Sequence, residues 1–451
     1  MLEGLINVFK VEELKRKILI TLSLLIVYRT GCFVPTPGVD TFALSQFFEK
    51  ISKTQGQTLL GMVNLFTGGA LTRLSLFALG IMPYISSSII MQLLTAVVPA
   101  LERMAKEGKA GYEKINQYTR YLTFFLCAVQ GLFLSLWLEN PNNFQGIIIV
   151  PNPGLLFKFI TILTLTCGTV FIMWLGEQIQ ERGVGNGISL IIMASIISRV
   201  PSSLHQLWLL WSPFDASQRQ IHTLTVVALL ALWFAVVMAV ILFTQAQRRI
   251  PVQYGRRVVG RKVYGGQSTY LPIRVDTSGV IAIIFAQSVI LFPATLATFL
   301  PQKIRFMSFL QSVLQERGLW YNLIFMILII FFMYFYTAMV FNPVEIGNNL
   351  KKYGGFIPGI RPGKPTAEYL DFVATRIVFV GALYICAIAV LPNVIMHIFK
   401  VHSYELASFF GGTTILIMVG VILDTMRQIE GQLLIRHYKG FIKEGTLKGR
   451  R

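Results

Sequence analysis

Residues able to do covalent or metal chemistry are scattered along this chain. The four cysteines (Cys32, Cys127, Cys167, Cys386) stand singly in or beside apolar segments, and the five histidines (His205, His222, His397, His402, His437) are equally dispersed. No CxxC or Cys/His spacing suits zinc or a disulfide framework. There is no GxxxxGK[ST] loop and no dinucleotide glycine fingerprint. Nor do a nucleophile, a base and an orienting group form a plausible constellation. The chain is therefore expected not to be an enzyme and to need no cofactor or metal, so any energy must come from a partner.

What stands out instead is uncharged polarity inside apolar runs. Gly80 to Gln92 reads GIMPYISSSIIMQ within an apolar stretch from Leu74 to Ala100. Ile81, Ile85, Ser88 and Gln92 recur at i, i+4, i+7 and i+11 and share one helix face. Gly185-Asn186-Gly187 opens a second run, with Ile188, Ile192 and Ser195 behind it at i, i+4, i+7. In a third, Ile281, Ile284 and Ser288 align at i, i+3, i+7 with Gln287 beside them. Such residues do one of two things in lipid. They hydrogen-bond neighbouring helices, for about 0.6–2 kcal/mol each, or they line a passage. Spacing alone leaves both open.

The elements that must position these residues are membrane spans. Of the 451 residues 54% are hydrophobic and only 14% charged, with mean hydropathy +0.63. Apolar stretches long enough to cross about 30 Å of hydrocarbon recur throughout. Ten spans are expected, near 17–35, 74–99 (interrupted by Pro83), 120–138, 155–175, 186–203, 223–246, 277–300, 319–343, 375–396 and 405–426. An even number puts both termini on one side. Most of the 40 Lys and Arg fall on that side, which the positive-inside rule makes cytoplasmic. The net charge of +19 is thus mainly a topology signal.

Charge inside the spans is equally telling. Arg29, Arg73, Arg120, Lys158, Arg199, Arg376, Glu405 and Asp424 lie toward span ends, where side chains snorkel, and none sits at a midplane. Ion-coupled transporters usually keep an ionisable group there. Its absence favours a passive conduit over a small-solute transporter.

Before the second span, Gly61 to Arg73 reads GMVNLFTGGALTR. It is too short to span and too apolar for a free aqueous loop. Backbone at membrane depth is tolerated only inside protein or along a water-filled cavity, so the segment is either a short helix stopping a pore or a fixed interfacial turn. On the cytoplasmic side, Gln247 to Tyr264 is basic with interspersed Val and Tyr, the pattern of a projecting hairpin. Gly354 to Gly363 (GGFIPGIRPG) is a stiff, exposed turn. Attraction to anionic lipid explains part of this charge, at about 1 kcal/mol per basic residue. The stiff aromatic-containing tips suggest docking of an acidic or RNA-bearing partner as well.

These runs carry a resemblance. Arg29 to Gly38 (RTGCFVPTPG), Leu65 to Gln92, Gln117 to Tyr121 (QYTRY), Met173 to Ile192 (MWLGEQIQERGVGNGISLII), Gln247 to Pro272 and Phe341 to Gly363 closely resemble the SecY family of protein-translocation channel subunits. The match runs over nearly the whole chain. It implies an all-α polytopic membrane protein in the bacterial plasma membrane, with ten transmembrane helices in two inverted five-helix halves around an hourglass pore. The expected organisation is an amphipathic amino-terminal segment over 1–16 and a first half over 17–203, with a plug at 61–72. An external hinge loop follows over 204–222. The second half covers 223–426, with basic loops at 247–275 and 344–374, and the tail covers 427–451.

By motif position the resemblance implies a pore ring of Ile81, Ile85, Ile188, Ile192, Ile281, Ile284 and Ile417, the last by resemblance alone. It implies a plug containing Asn64, Leu65, Phe66, Gly68, Gly69 and Leu71. A lateral gate between spans two and three on one side and seven and eight on the other would carry Ser86, Gln92, Asn186, Gln287 and Ser288. Arg248, Arg249, Arg256, Arg257 and above all Arg361 would dock the SecA motor ATPase or a translating ribosome. Further implied partners are SecE and SecG-type subunits, unfolded preproteins and signal sequences, besides the anionic lipids above. One departure stands out: where the family often reads Gly-Val-Ile-Pro, this chain reads Gly279-Val280-Ile281-Ala282. Without that proline, a kink at the start of span seven loses its usual cause.

Overall fold

The computed structural model describes residues 11–54, 64, 66–144, 146–212, 222–254, 257–259, 262–264, 268–276, 280–299, 319–399 and 404–444. Helix α1 (Glu12–Gly31) begins with Glu12 and Glu13 and ends with Arg29 in its last turn, each charge complementing the helix dipole. Helix α2 (Thr41–Thr54) follows in the loop. Its start is held by the Asp40 carboxylate, which accepts from the backbone N–H groups of Phe42 and Ala43. After a stretch of turns come α3 (Met82–Val97), α4 (Pro99–Lys106), α5 (Lys109–Glu139), α6 (Leu155–Arg182), α7 (Gly187–Ile197) and α8 (Val200–Trp211). The second half holds α9 (Thr223–Gln245), α10 (Ile281–Phe299), α11 (Leu319–Val340), α12 (Pro343–Lys352), α13 (Lys364–Phe399), α14 (Tyr404–Phe410) and α15 (Thr413–Glu444).

Seven described helical stretches are each long and apolar enough to cross a membrane. An eighth is the pair α3 and α4, bent by 97° at Val98. With α1 and α15 the arrangement has ten membrane helices, five in each half. Corresponding helices of the two halves are five crossings apart and so run in opposite directions. The second span of each half meets the other directly, α3 packing on α10, while α7 packs on α15 and α8 on α14. One contiguous apolar core draws residues from both halves, from Tyr28 to Val421.

Several boundaries differ from the sequence reading: α5 starts at Lys109 and α13 at Lys364, before the expected 120 and 375. The second span does not run from 74 with a break at Pro83: residues 67–81 form turns, and α3 starts at Met82 with Pro83 in its first turn. A proline there costs nothing, because the first N–H groups have no intrahelical partner. Pro201 likewise opens α8, which runs on to Trp211 through residues expected in the external loop 204–222. It stays helical because its buried face, Leu207, packs in a cluster with Leu406, Ala407 and Phe410 of α14. Finally, α15 runs well past 426 into the expected tail.

The basic loops carry the only strands among the described residues. Strands β1 (Gln247–Tyr254) and β4 (Ser268–Arg274) pair antiparallel, Gln247 opposite Arg274 and Gln253 opposite Ser268. Between them β2 (Arg257–Val259) pairs β3 (Lys262–Tyr264), a hairpin as expected. The short β5 (Gly355–Phe356) of the second loop adds to β1, so one three-stranded sheet, in the order β4-β1-β5, ties both loops together. Beneath it Ile250, Val252 and Ile273 pack with Ile357, Leu370 and Val373.

Candidate functional site

The ring candidates lie on helices that pack in pairs, α3 on α10 and α7 on α15. Ile81 is the residue before α3, and its carbonyl accepts the backbone N–H of Ile85, so both side chains keep one face. Ile188 and Ile192 lie on α7, Ile281 and Ile284 on the first turn of α10, and Ile417 on α15. Ile81, Ile85, Ile192, Ile284 and Ile417 are buried members of one apolar cluster that also contains Phe66 and Leu71; Ile188 and Ile281 pack against it half-buried. Position 282 falls in the first turn of α10 and Ala282 is fully buried. A proline at that position would start the helix, not kink it; the interior proline of α10 is Pro293.

The segment before α3 is wedged into the cluster by backbone fit. A Cβ added at Gly31 would stand 2.1 Å from the Phe77 ring, and one at Gly168 would stand 1.9 Å from the Leu76 carbonyl. Only glycine on α1 and α6 leaves room for this chain between them. The backbone N–H of Thr36 donates to the Leu74 carbonyl at 2.9 Å and that of Leu76 to the Val34 carbonyl at 2.8 Å. Leu74 itself holds φ +41°, the one positive φ outside glycine among the described residues, a strained state kept by its surroundings.

Closer to the ring, Asn64 organises the plug candidate. Its backbone carbonyl accepts the Gly69 N–H at 3.0 Å and its side-chain carbonyl accepts the Thr72 N–H at 3.4 Å. Gly68 (φ +63°) and Gly69 (φ +89°) make the left-handed turn. The Gly68 carbonyl accepts a hydrogen bond from the Arg29 guanidinium at 2.8 Å. Nearby, Tyr28 Oη and Ser195 Oγ share a buried hydrogen bond of 2.6 Å. Leu65 lies outside the described residues.

At the α3–α10 contact, Ser86 and Ser288 line a small cavity with Gln130 of α5, Thr295, Met82 and Leu71. Ser288 Oγ lies 3.9 Å from Met82 Sδ across the two helices. Gln287 is buried, and its Oε1 has no hydrogen-bond partner among the described residues; the same holds for Gln92 Oε1, although Gln92 donates to Ser88 Oγ at 3.1 Å. Asn186 is not drawn into this group. Its side-chain carbonyl accepts the Ser189 N–H at 3.2 Å and caps α7, a helix that packs on α6, α15 and α1. Gln130 and Thr295 escaped the sequence reading. Gln130 was legible as a lone uncharged polar residue in the middle of an apolar run, whereas Thr295 gives no such signal.

On the sheet, Arg248 and Arg249 are exposed on β1 and Arg257 lies on β2; Arg256 is outside the described residues. Arg361 is exposed on its turn, which is fixed by the Ile360 N–H donating to the Ile357 carbonyl and the Thr366 hydroxyl donating to the Arg361 carbonyl at 2.8 Å. Among the described residues no cluster of His, Cys, Asp and Glu is placed to hold a metal ion, and the four cysteines are free.

A family model described as SecY matches residues 75–426. The chain is 43% identical to a protein translocase subunit SecY of Aquifex aeolicus, over 98% of this chain and all of that protein. It is 46% identical to one from Escherichia coli K12, over 97% of this chain and 96% of that one. Its fold is similar to that of a solved protein-conducting channel, with a TM-score of 0.63 at 16% identity, covering 96% of this chain and 95% of the other. A multi-pass membrane chain with ten helices in two halves, similar at this level to translocase subunits along its whole length, belongs to the SecY family of channel subunits.

Proposed function

We propose that this chain forms the conduit through which unfolded preproteins cross the bacterial plasma membrane, both termini facing the cytoplasm, and from which apolar segments leave sideways into lipid. The observation that carries the reading is that α3 packs on α10 and α7 on α15, so the helices bearing the candidate isoleucines face one another across the two halves, with Phe66 and Leu71 in the same apolar core. Branched apolar side chains hold a threading peptide weakly and without sequence preference, and their dewetting hinders ions when the channel is idle. The segment 61–72, of which residues 61–63 and 65 lie outside the described residues, acts as the plug.

The gate is the α3–α10 seam. Its polar groups make weak, uncharged contacts, and the Oε1 atoms of Gln287 and Gln92, without a hydrogen-bond partner among the described residues, would cost on the order of 1–3 kcal/mol each where water does not reach them. A seam with that penalty parts readily when an apolar signal segment and water compete for it. Asn186 acts behind the gate as the cap of the helix carrying Ile188 and Ile192. The shared sheet of the basic loops is the docking face for the SecA motor or the ribosome, SecE clamps the two halves, and a SecG-type subunit completes the complex.

Reconstitution with SecE and SecA tests the reading. ATP-driven uptake of an unfolded preprotein, with a stalled intermediate cross-linking to position 85, is the expected result. Accumulation of a small solute with no preprotein uptake would overturn it.

A further inference from the structure

Three arginines, one of them the Arg29 that grips the Gly68 carbonyl, converge beside the plug segment. Arg29 ends α1, Arg73 follows the plug turn, and Arg199 precedes α8. Together with Gly68, Gly69, Thr72 and Ser198 they line a half-open cavity of about 240 Å³. The Arg29 and Arg73 guanidiniums stand 4.9 Å and 4.6 Å from the centre of the Phe33 ring. The Arg199 guanidinium approaches Gly69 so closely that an added Cβ would lie 3.4 Å from it. Among the described residues no acidic side chain lines the cavity.

The hydroxyls around it are already committed. Thr72 donates to the Gly69 carbonyl at 2.7 Å and Ser198 to the Ser195 carbonyl at 2.7 Å. The donor capacity at the cavity is therefore that of the guanidiniums, each carrying five N–H groups, of which Arg29 spends one on the Gly68 carbonyl. Cations gathered from three separate elements repel one another, and a shared counter-ion removes that cost. A planar carboxylate pairs with one guanidinium fork. A tetrahedral oxyanion, with acceptor oxygens in several directions, suits groups arriving from three sides.

We infer that this cavity is a binding site for a phosphate-class oxyanion, free or on a phospholipid headgroup. The anion ties the end of α1 and the start of α8 to the backbone of Gly68 and Gly69. Binding stands on the cavity alone; that the bound anion holds the pore shut rests on the plug reading above.

The purified complex is titrated with inorganic phosphate at constant ionic strength while thermal unfolding is followed, and phospholipid retained after extraction is quantified by mass spectrometry. A ligand that binds only the folded chain raises the midpoint in a saturable way. Arg73 is exposed and has only its ring contact among the described residues, so Arg73→Gln leaves the fold intact. A saturating rise that needs roughly tenfold more phosphate in Arg73→Gln, as expected for one lost charge-assisted hydrogen bond, with Arg73→Lys in between, supports a site filled by free phosphate. Retained phospholipid that Arg73→Gln lacks, without a phosphate-induced rise, supports a headgroup. No rise and no Arg73-dependent phospholipid overturns the site. Neither readout passes ions through the pore, so failure of the plug reading leaves both intact, and their failure leaves the plug reading intact.

Discussion

The Arg29 guanidinium donates to the Gly68 carbonyl at 2.8 Å, so the last turn of the first span holds the proposed plug segment by its backbone. The grip depends on the Gly68 turn, because the carbonyl points at Arg29 only while φ stays at +63°.

Gly68→Ala is therefore expected to loosen the plug. The new Cβ would lie 3.1 Å from the Ser195 Cα, and a left-handed alanine costs on the order of 1–2 kcal/mol. Conductance of reconstituted channels should rise severalfold at rest. Gly146→Ala is the control: its φ of +85° imposes similar strain, but its Cβ would meet nothing within 4 Å, and its leak should match the parent.

A covalent bridge across the α3–α10 seam should stop export. Met82 Sδ and Ser288 Oγ are 3.9 Å apart across the seam, so a Met82→Cys/Ser288→Cys pair lies within reach of a short bis-methanethiosulfonate cross-linker once exposed Cys167 is replaced by serine. Preprotein transport should fall to background on cross-linking and return on reduction of the linker's disulfides. Full transport by the cross-linked pair would show that the seam does not open.

Arg361→Glu should leave assembly and stability unchanged, because its side chain is exposed and only its carbonyl is used by Thr366. Motor-driven export should fall at least tenfold through charge reversal on the proposed docking face. Export at the parent rate, with normal assembly, would move docking elsewhere on the sheet.

The buried pair Tyr28–Ser195 ties α1 to α7. Tyr28→Phe should lower stability by about 1 kcal/mol and Ser195→Ala by more, since it strands a buried phenol. The double variant should lose less than the sum, read as a coupling in thermal or chemical unfolding of the detergent-solubilised complex.

Much of this molecule is legible in its residues, because lipid enforces simple rules. Spans must be long and apolar, and their backbones must satisfy themselves. Basic loops mark one side, and helical spacing places Ile81 with Ile85 and Ile188 with Ile192. Only the tertiary structure decided what residues 67–81 do. Their apolar character suits a helix, yet the clefts at Gly31 and Gly168 seat Leu76 and Phe77 in turns. Only it joined β1 to β5, since pairing between strands far apart in the chain leaves no local period to read. It likewise set Asn186 to capping a helix, brought Gln130 and Thr295 to the seam, and gathered Arg29, Arg73 and Arg199 around one cavity. Spacing reports which residues share a face of one element; which faces meet is settled by packing between elements.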